Sequence, residues 1–235
     1  MDRERIIVLK KTVYRDADLI IRGLNSHGAK LSFIAPGALK SRRRFGGGVL
    51  EVTNYIEVVY QESNKSALPR LIEAQILKEF QGLRRSYDFI QIGLTLLELV
   101  DRVSADGIQH GEDLFNLLGH GLQCLTQINE SSLILFRLQF LLKFLFQQGV
   151  LEKEPWMDLF LRVQLRDHST LVKTLEQEGL WSEYSFENKT RIENDMSKET
   201  GVLSNEQRNF STLLLDRLAM IESRVKAYKE TGAMA

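Results

Sequence analysis

Cysteine is almost missing from this chain. Cys124 is the single one among 235 residues. No disulfide can form within the molecule, and a reducing compartment is expected. Long apolar runs are missing as well. The longest, LILFRLQFLLKFLF at residues 133–146, is short for a membrane span and is broken by Arg137 and Lys143. The opening MDRERIIVLKK puts only a short apolar run between charges, which predicts no signal peptide. The expectation is a soluble, cytoplasmic protein without membrane attachment. Net charge is absent too, since 31 Lys and Arg balance 31 Asp and Glu.

Catalytic signatures are equally scarce. The chain has no GxSxG, no HExxH and no paired CxxC, and Gly46 to Gly48 lack the Gly-Lys-Ser/Thr of a phosphate-binding loop. Asp16 and Asp18 form a D-x-D pair. A hard cation needs several oxygen ligands, whereas aspartate readily builds turns, so a turn is the expectation. His120 and Cys124 lie four apart on a helical pattern and share a face. With His110 they make three candidate zinc ligands, but a structural site wants four. Cys124 among leucines reads instead as core. No enzyme, metal or cofactor is expected.

What is present divides into two rhythms. With 43% hydrophobic and 26% charged residues the chain has enough apolar material for a core. Residues 6–14, 19–24, 29–35 and 52–61 are short β-rich runs separated by turn residues. Residues 66–77 fit a strand leading into a helix, with Pro69 arguing against a central strand. Such strands in about eighty residues suggest a small barrel, either OB-like or SH3-like. Beyond residue 82 the apolar spacing becomes helical. Helices are predicted over 87–103, 113–128, 131–149, from Pro155 onward, over 169–179 and over 204–229. The polar stretch 182–203 is expected to be an exposed loop. The reading is α+β: an N-terminal β-barrel over residues 1–80 and an all-α domain over 81–235.

The balanced charge hides an uneven distribution. Residues 1–45 hold eleven Lys or Arg and four Asp or Glu, a net +7, and the rest of the chain is −7. Lys10, Lys11, Arg15 and Arg22 fall on the early strands, and Lys30 opens the third. Lys40, Arg42, Arg43 and Arg44 follow in a glycine-rich loop beside Phe45. Such a cluster suits phosphate backbones, through counterion release and the forked donors of arginine. Phe45 and Tyr14 would offer stacking surfaces, and the glycines would let the loop move. In the helical half, Arg137 and Lys143 interrupt an apolar helix that is expected to be core. A partly open groove there would suit a short acidic peptide.

YRDADLIIRGL (14–24) and HGAKLSFIAPGALKSRRRFGGGVLE (27–51) resemble the N-terminal region of the bacterial recombination mediators of the RecO family, and LIEAQILKEFQGLR (71–84) resembles that family's exit into helices. The resemblance implies an OB-fold followed by a helical domain. It implies binding of single- and double-stranded DNA, annealing of complementary strands and, with RecR, loading of RecA onto DNA coated by single-stranded-DNA-binding protein. It also implies contact with the acidic C-terminal tail of that protein. The family's basic surface falls by position on Lys30, Lys40, Arg42, Arg43 and Arg44; Arg137 and Lys143 are the candidates for the tail. Two departures stand out. Pro36 replaces the usual basic residue before Gly-Ala, and the four-cysteine zinc site of many members is absent. The rival expectation is an interaction protein whose basic loop docks on an acidic protein partner.

Overall fold

A computed structural model describes residues 1–62, 67–107, 111–178 and 216–227. Five strands come first: β1 (Asp2–Tyr14), β2 (Asp18–Asn25), β3 (Lys30–Ala35), β4 (Tyr55–Gln61) and β5 (Arg70–Lys78). They close into a barrel in the order β1-β2-β3-β5-β4. The contact between β3 and β5 is parallel, through Ile34 and Arg70; the others are antiparallel. This is the OB arrangement.

Strand β1 serves two neighbours. Residues Asp2 to Ile7 pair with β4, and Ile6 to Tyr14 pair with β2. A register shift between Val8 and Lys10 lies within the β2 pairing, and such a bulge bends and twists a strand as barrel closure requires. Alternate residues then point inward. Ile6, Val8, Leu19, Ile21, Phe33, Ala35, Ile56, Val58 and Leu71 fill the interior.

Residues 66–77 differ from expectation. A strand occupies Arg70–Lys78, so the described part of the segment does not itself turn into helix; a 3₁₀ turn at Gln81–Arg85 follows, and the first long helix begins only at Tyr87. Pro69 lies just before the strand, where its missing N–H removes no ladder bond. Its carbonyl accepts from the Ile34 amide at 2.9 Å, which starts the parallel contact.

The helices are α1 (Arg42–Phe45), α2 (Tyr87–Val103), α3 (Asp113–Leu125), α4 (Leu133–Gln147), α5 (Asp158–Arg162) and α6 (His168–Gln177), with further helix at 216–227. The helix expected from Pro155 is broken into a 3₁₀ turn, α5 and a second 3₁₀ turn at Leu165–Asp167. Side chains of α4 satisfy the carbonyls at that break. Gln139 Nε2 donates to Phe160 O and Val163 O, and Lys143 Nζ to Leu161 O. The expected loop 182–203 and the start of the expected helix 204–229 lie outside the described residues.

The chain forms two compact units, residues 1–126 and 127–235. The change of rhythm near residue 80 marks where strands end, but the first unit continues through α2 and α3. Ile7, Leu9 and Leu24 are buried without belonging to the barrel interior. Ile7 Cδ1 approaches α3 at Gly119, and Tyr55 meets Phe115 edge-on at 5.7 Å. In the second unit α4 is apolar nearly all round, with five leucines and three phenylalanines almost wholly buried, as expected for a core helix. Among the described residues no helix is long and apolar enough to cross a membrane.

Candidate nucleic-acid interface

The basic segment between β3 and β4 is built, not slack. Ser41 caps α1, its Oγ accepting from the Arg44 amide at 3.4 Å. Gly47 and Gly48 hold φ of +66° and +72°, a region that side chains disfavour. A Cβ on Gly46 would fall 2.1 Å from Arg42 O. Asn54, itself buried, donates its amide to Gly48 O and Val49 O. The glycines thus answer geometric demands of a defined turn.

Two residues of the expected interface change role. Phe45 is only 7% exposed and packs into the barrel interior with Ala38, Val49 and Leu50. Its ring plugs the barrel, so no base can stack on it. Arg44 donates from Nη2 to Pro36 O at 2.8 Å and from Nε to Ser41 Oγ at 3.3 Å. It ties the loop together and is only part-exposed.

Hydrogen bonds bring Arg15 and the loop cations Lys40, Arg42 and Arg43 to one end of the barrel, whereas Lys10 lies farther along β1, opposite Arg22. Leu39 N donates to Ala17 O at 3.0 Å, and Gly37 N to Asp18 Oδ1 at 2.8 Å. These bonds lock the loop after β3 against the turn between β1 and β2. Glu51 pairs with Lys11 and anchors the far side of the loop to β1. Lys10, Lys40, Arg42 and Arg43 are exposed and have no side-chain partner among the described residues. Arg15 is exposed as well, its guanidinium 5.0 Å from the centre of the Tyr14 ring. Asp18 thus acts in a turn, and no cluster of three or more possible metal ligands occurs among the described residues.

Lys30 does not join this group. Its side chain is 13% exposed, with Nζ donating to Asp101 O at 2.9 Å. Asp101 also takes a forked bond from Arg22 at 2.9 and 3.1 Å. Both cations hold α2 to the barrel. In the second unit Arg137 pairs with Glu222 at 2.8 Å. Lys143 is half-buried on the Leu161 carbonyl, and burial pulls its pKa down. Neither stands free at the rim of a groove. Cys124 is buried, which pushes its thiol up to about 12, so it is an inert core residue. His110 lies outside the described residues.

The sequence reading missed Val13 and Leu39. They are 65% and 53% exposed beside Tyr14, which is 38% exposed. The signal is present but ambiguous: an apolar residue at the end of a β-rich run reads as core unless the strand is known to outrun its barrel.

Residues 1–80 match the family model for the N terminus of recombination protein O. The chain is similar to the DNA repair protein RecO of Syntrophus aciditrophicus, 36% identical over 111 residues, which are 47% of this chain and 42% of that protein. It is similar to those of Heliobacterium modesticaldum (32% identical, 53% of this chain and 44% of the relative) and Geobacter metallireducens (33%, 53% and 50%). The chain thus spans about half or less of the length of these relatives. The resemblance read in residues 14–24 and 27–51 is borne out over the barrel.

Proposed function

We propose that this protein acts in DNA repair and recombination by binding DNA strands and bringing complementary strands together, without catalysing a covalent step. The observation that carries this reading is the gathering of Arg15, Lys40, Arg42 and Arg43 at one end of the barrel, fixed by the bonds from Leu39 to Ala17 and from Gly37 to Asp18. Exposed cations on a rigid frame release counterions from phosphates at little ordering cost. Neutralising two strands on one surface lowers their mutual repulsion, which is the electrostatic barrier to annealing. The RecO relatives support the repair role. By family resemblance the proposal extends to both single- and double-stranded DNA, to RecR as partner, to loading of RecA, and to contact with the acidic tail of single-stranded-DNA-binding protein.

The test is annealing of two labelled complementary oligonucleotides coated with single-stranded-DNA-binding protein, over a salt series. The wild type accelerates annealing. The Lys40→Ala, Arg42→Ala, Arg43→Ala variant loses about tenfold or more of that acceleration. Its log affinity for single strands falls less steeply with log salt, by about 2 in slope for three lost phosphate contacts. Arg44 is left in place because it holds the loop. A variant that anneals like the wild type would sink the assignment to this barrel end.

A further inference from the structure

The end of the β1–β2 ribbon is an unusual object for a protein surface. Val13 pairs with Leu19 and Tyr14 with Asp18. Leu19 belongs to the barrel interior, yet Val13 opposite it is mostly exposed. The ribbon has run past the end of the core. Side chains of successive strand residues point to opposite faces, so the tip shows an apolar residue on each face, Val13 on one and Tyr14 on the other. Leu39 adds a third exposed apolar side chain from the loop bonded to the turn.

This tip is held in position. The turn carbonyl of Ala17 and the carboxylate of Asp18 are both bound by the loop after β3. Arg15 at the turn has φ of +58°, a conformation uncommon outside glycine and asparagine. At the tip stand Arg15 in the turn and, on the loop bonded to that turn, Lys40, Arg42 and Arg43. An apolar tip ringed by cations does not match an apolar protein groove or an acidic peptide alone. It matches a ligand whose apolar faces alternate with anionic groups at short intervals. Unpaired nucleic acid is that ligand, with bases to meet the apolar side chains and phosphates to meet the cations.

We infer that the β1–β2 tip is an apolar pin that takes up unstacked bases, with Tyr14 as a stacking platform and Val13 as a wedge on the opposite face. This rests on the nucleic-acid reading above and adds a selectivity to it. The cations serve single strands and duplexes alike, whereas the pin contributes only where bases are free of their partners. Apolar wedges between bases are an established way for proteins to engage unstacked steps.

The experiment compares binding of a fluorescein-labelled 20-nucleotide single strand and of the corresponding blunt duplex at one salt concentration. Val13→Thr, Tyr14→Thr keeps β-forming side chains and touches only exposed positions. It is expected to lose about tenfold in single-strand affinity, on the order of the loss of one stacked base, with duplex affinity unchanged within about twofold. Tyr14→Phe retains the ring and is expected to behave as the wild type. An equal loss on both ligands, or a loss on neither, overturns the pin while leaving the phosphate surface intact. A wild type that binds neither ligand overturns the pin together with the nucleic-acid reading.

Discussion

His168 shows how far a residue's meaning depends on its neighbours. It is 1% exposed in the second unit, its ring edge-on to Phe136. Nδ1 lies 2.7 Å from Gln139 Oε1, whose amide nitrogen is already donating to backbone carbonyls. Nδ1 therefore carries the hydrogen, and buried Nε2 has no partner among the described residues. Burial lowers the imidazole to about 4 from its ordinary 6.5, against a smaller upward pull from the backbone at Ser132. The folded chain keeps the ring neutral while the unfolded chain protonates near pH 6.5. Stability is complete above pH 6.5, falls as the pH drops below it, and levels off near pH 4. Between pH 7 and 5 this group accounts for about 2 kcal/mol of lost stability. His168→Asn keeps a donor toward Gln139 and cannot titrate. Urea unfolding at both pH values is expected to show that variant losing about 2 kcal/mol less than the wild type; equal losses would place the acid sensitivity elsewhere. This role is not legible in the sequence, because the burial and the Gln139 partnership come from different helices.

At the scale of elements, legibility follows periodicity. Strong amphipathic spacing predicts helix over 87–103, and α2 spans Tyr87–Val103. The helix expected from Pro155 fails because its carbonyls are met by side chains of α4, which no local pattern announces. The basic loop is the subtler case. Its composition, four cations and three glycines around one phenylalanine, suggests mobility, yet Phe45 lies in the barrel and the glycines meet geometric demands. Those demands differ from one glycine to the next. Gly47 has positive φ, and a Cβ added there would meet nothing within 4 Å, so Gly47→Ala costs about 1 kcal/mol of backbone strain. Gly46 has negative φ, but its Cβ would strike the Arg42 carbonyl. Gly46→Ala must therefore distort α1 and unseat Phe45, at about 3 kcal/mol or more. Thermal unfolding of the two variants is expected to rank Gly46→Ala well below Gly47→Ala. Equal and small effects would mean that the loop is slack after all.

At the scale of the whole molecule, the first unit sets what a functional fragment must contain. The family match ends at residue 80, and the sequence rhythm changes there, so a barrel cut at that point is the natural first choice. The packing argues for a later cut. The barrel's outer wall carries Ile7, Leu9 and Leu24, and Ile7 meets α3. Arg22 and Lys30 are balanced by Asp101 of α2. The chain after α2 also extends the barrel edge: Lys30 N donates to Ala105 O at 3.2 Å and Gly107 N to Lys30 O at 3.0 Å. A fragment of residues 1–80 would uncover Ile7, whose burial contributes roughly 2 kcal/mol. It would also leave two cations without their acid. Residues 1–126 keep all of these contacts. That longer fragment is expected to unfold cooperatively in urea and to retain the salt-dependent binding of the Lys40, Arg42, Arg43 surface. The shorter one is expected to be markedly less stable and prone to associate through the uncovered wall. If residues 1–80 were as stable as residues 1–126, α2 and α3 would be passengers on the barrel, and Asp101→Ala would leave it undisturbed. If the longer fragment is the stable one, Asp101→Ala should weaken it by removing the acid from two part-buried cations.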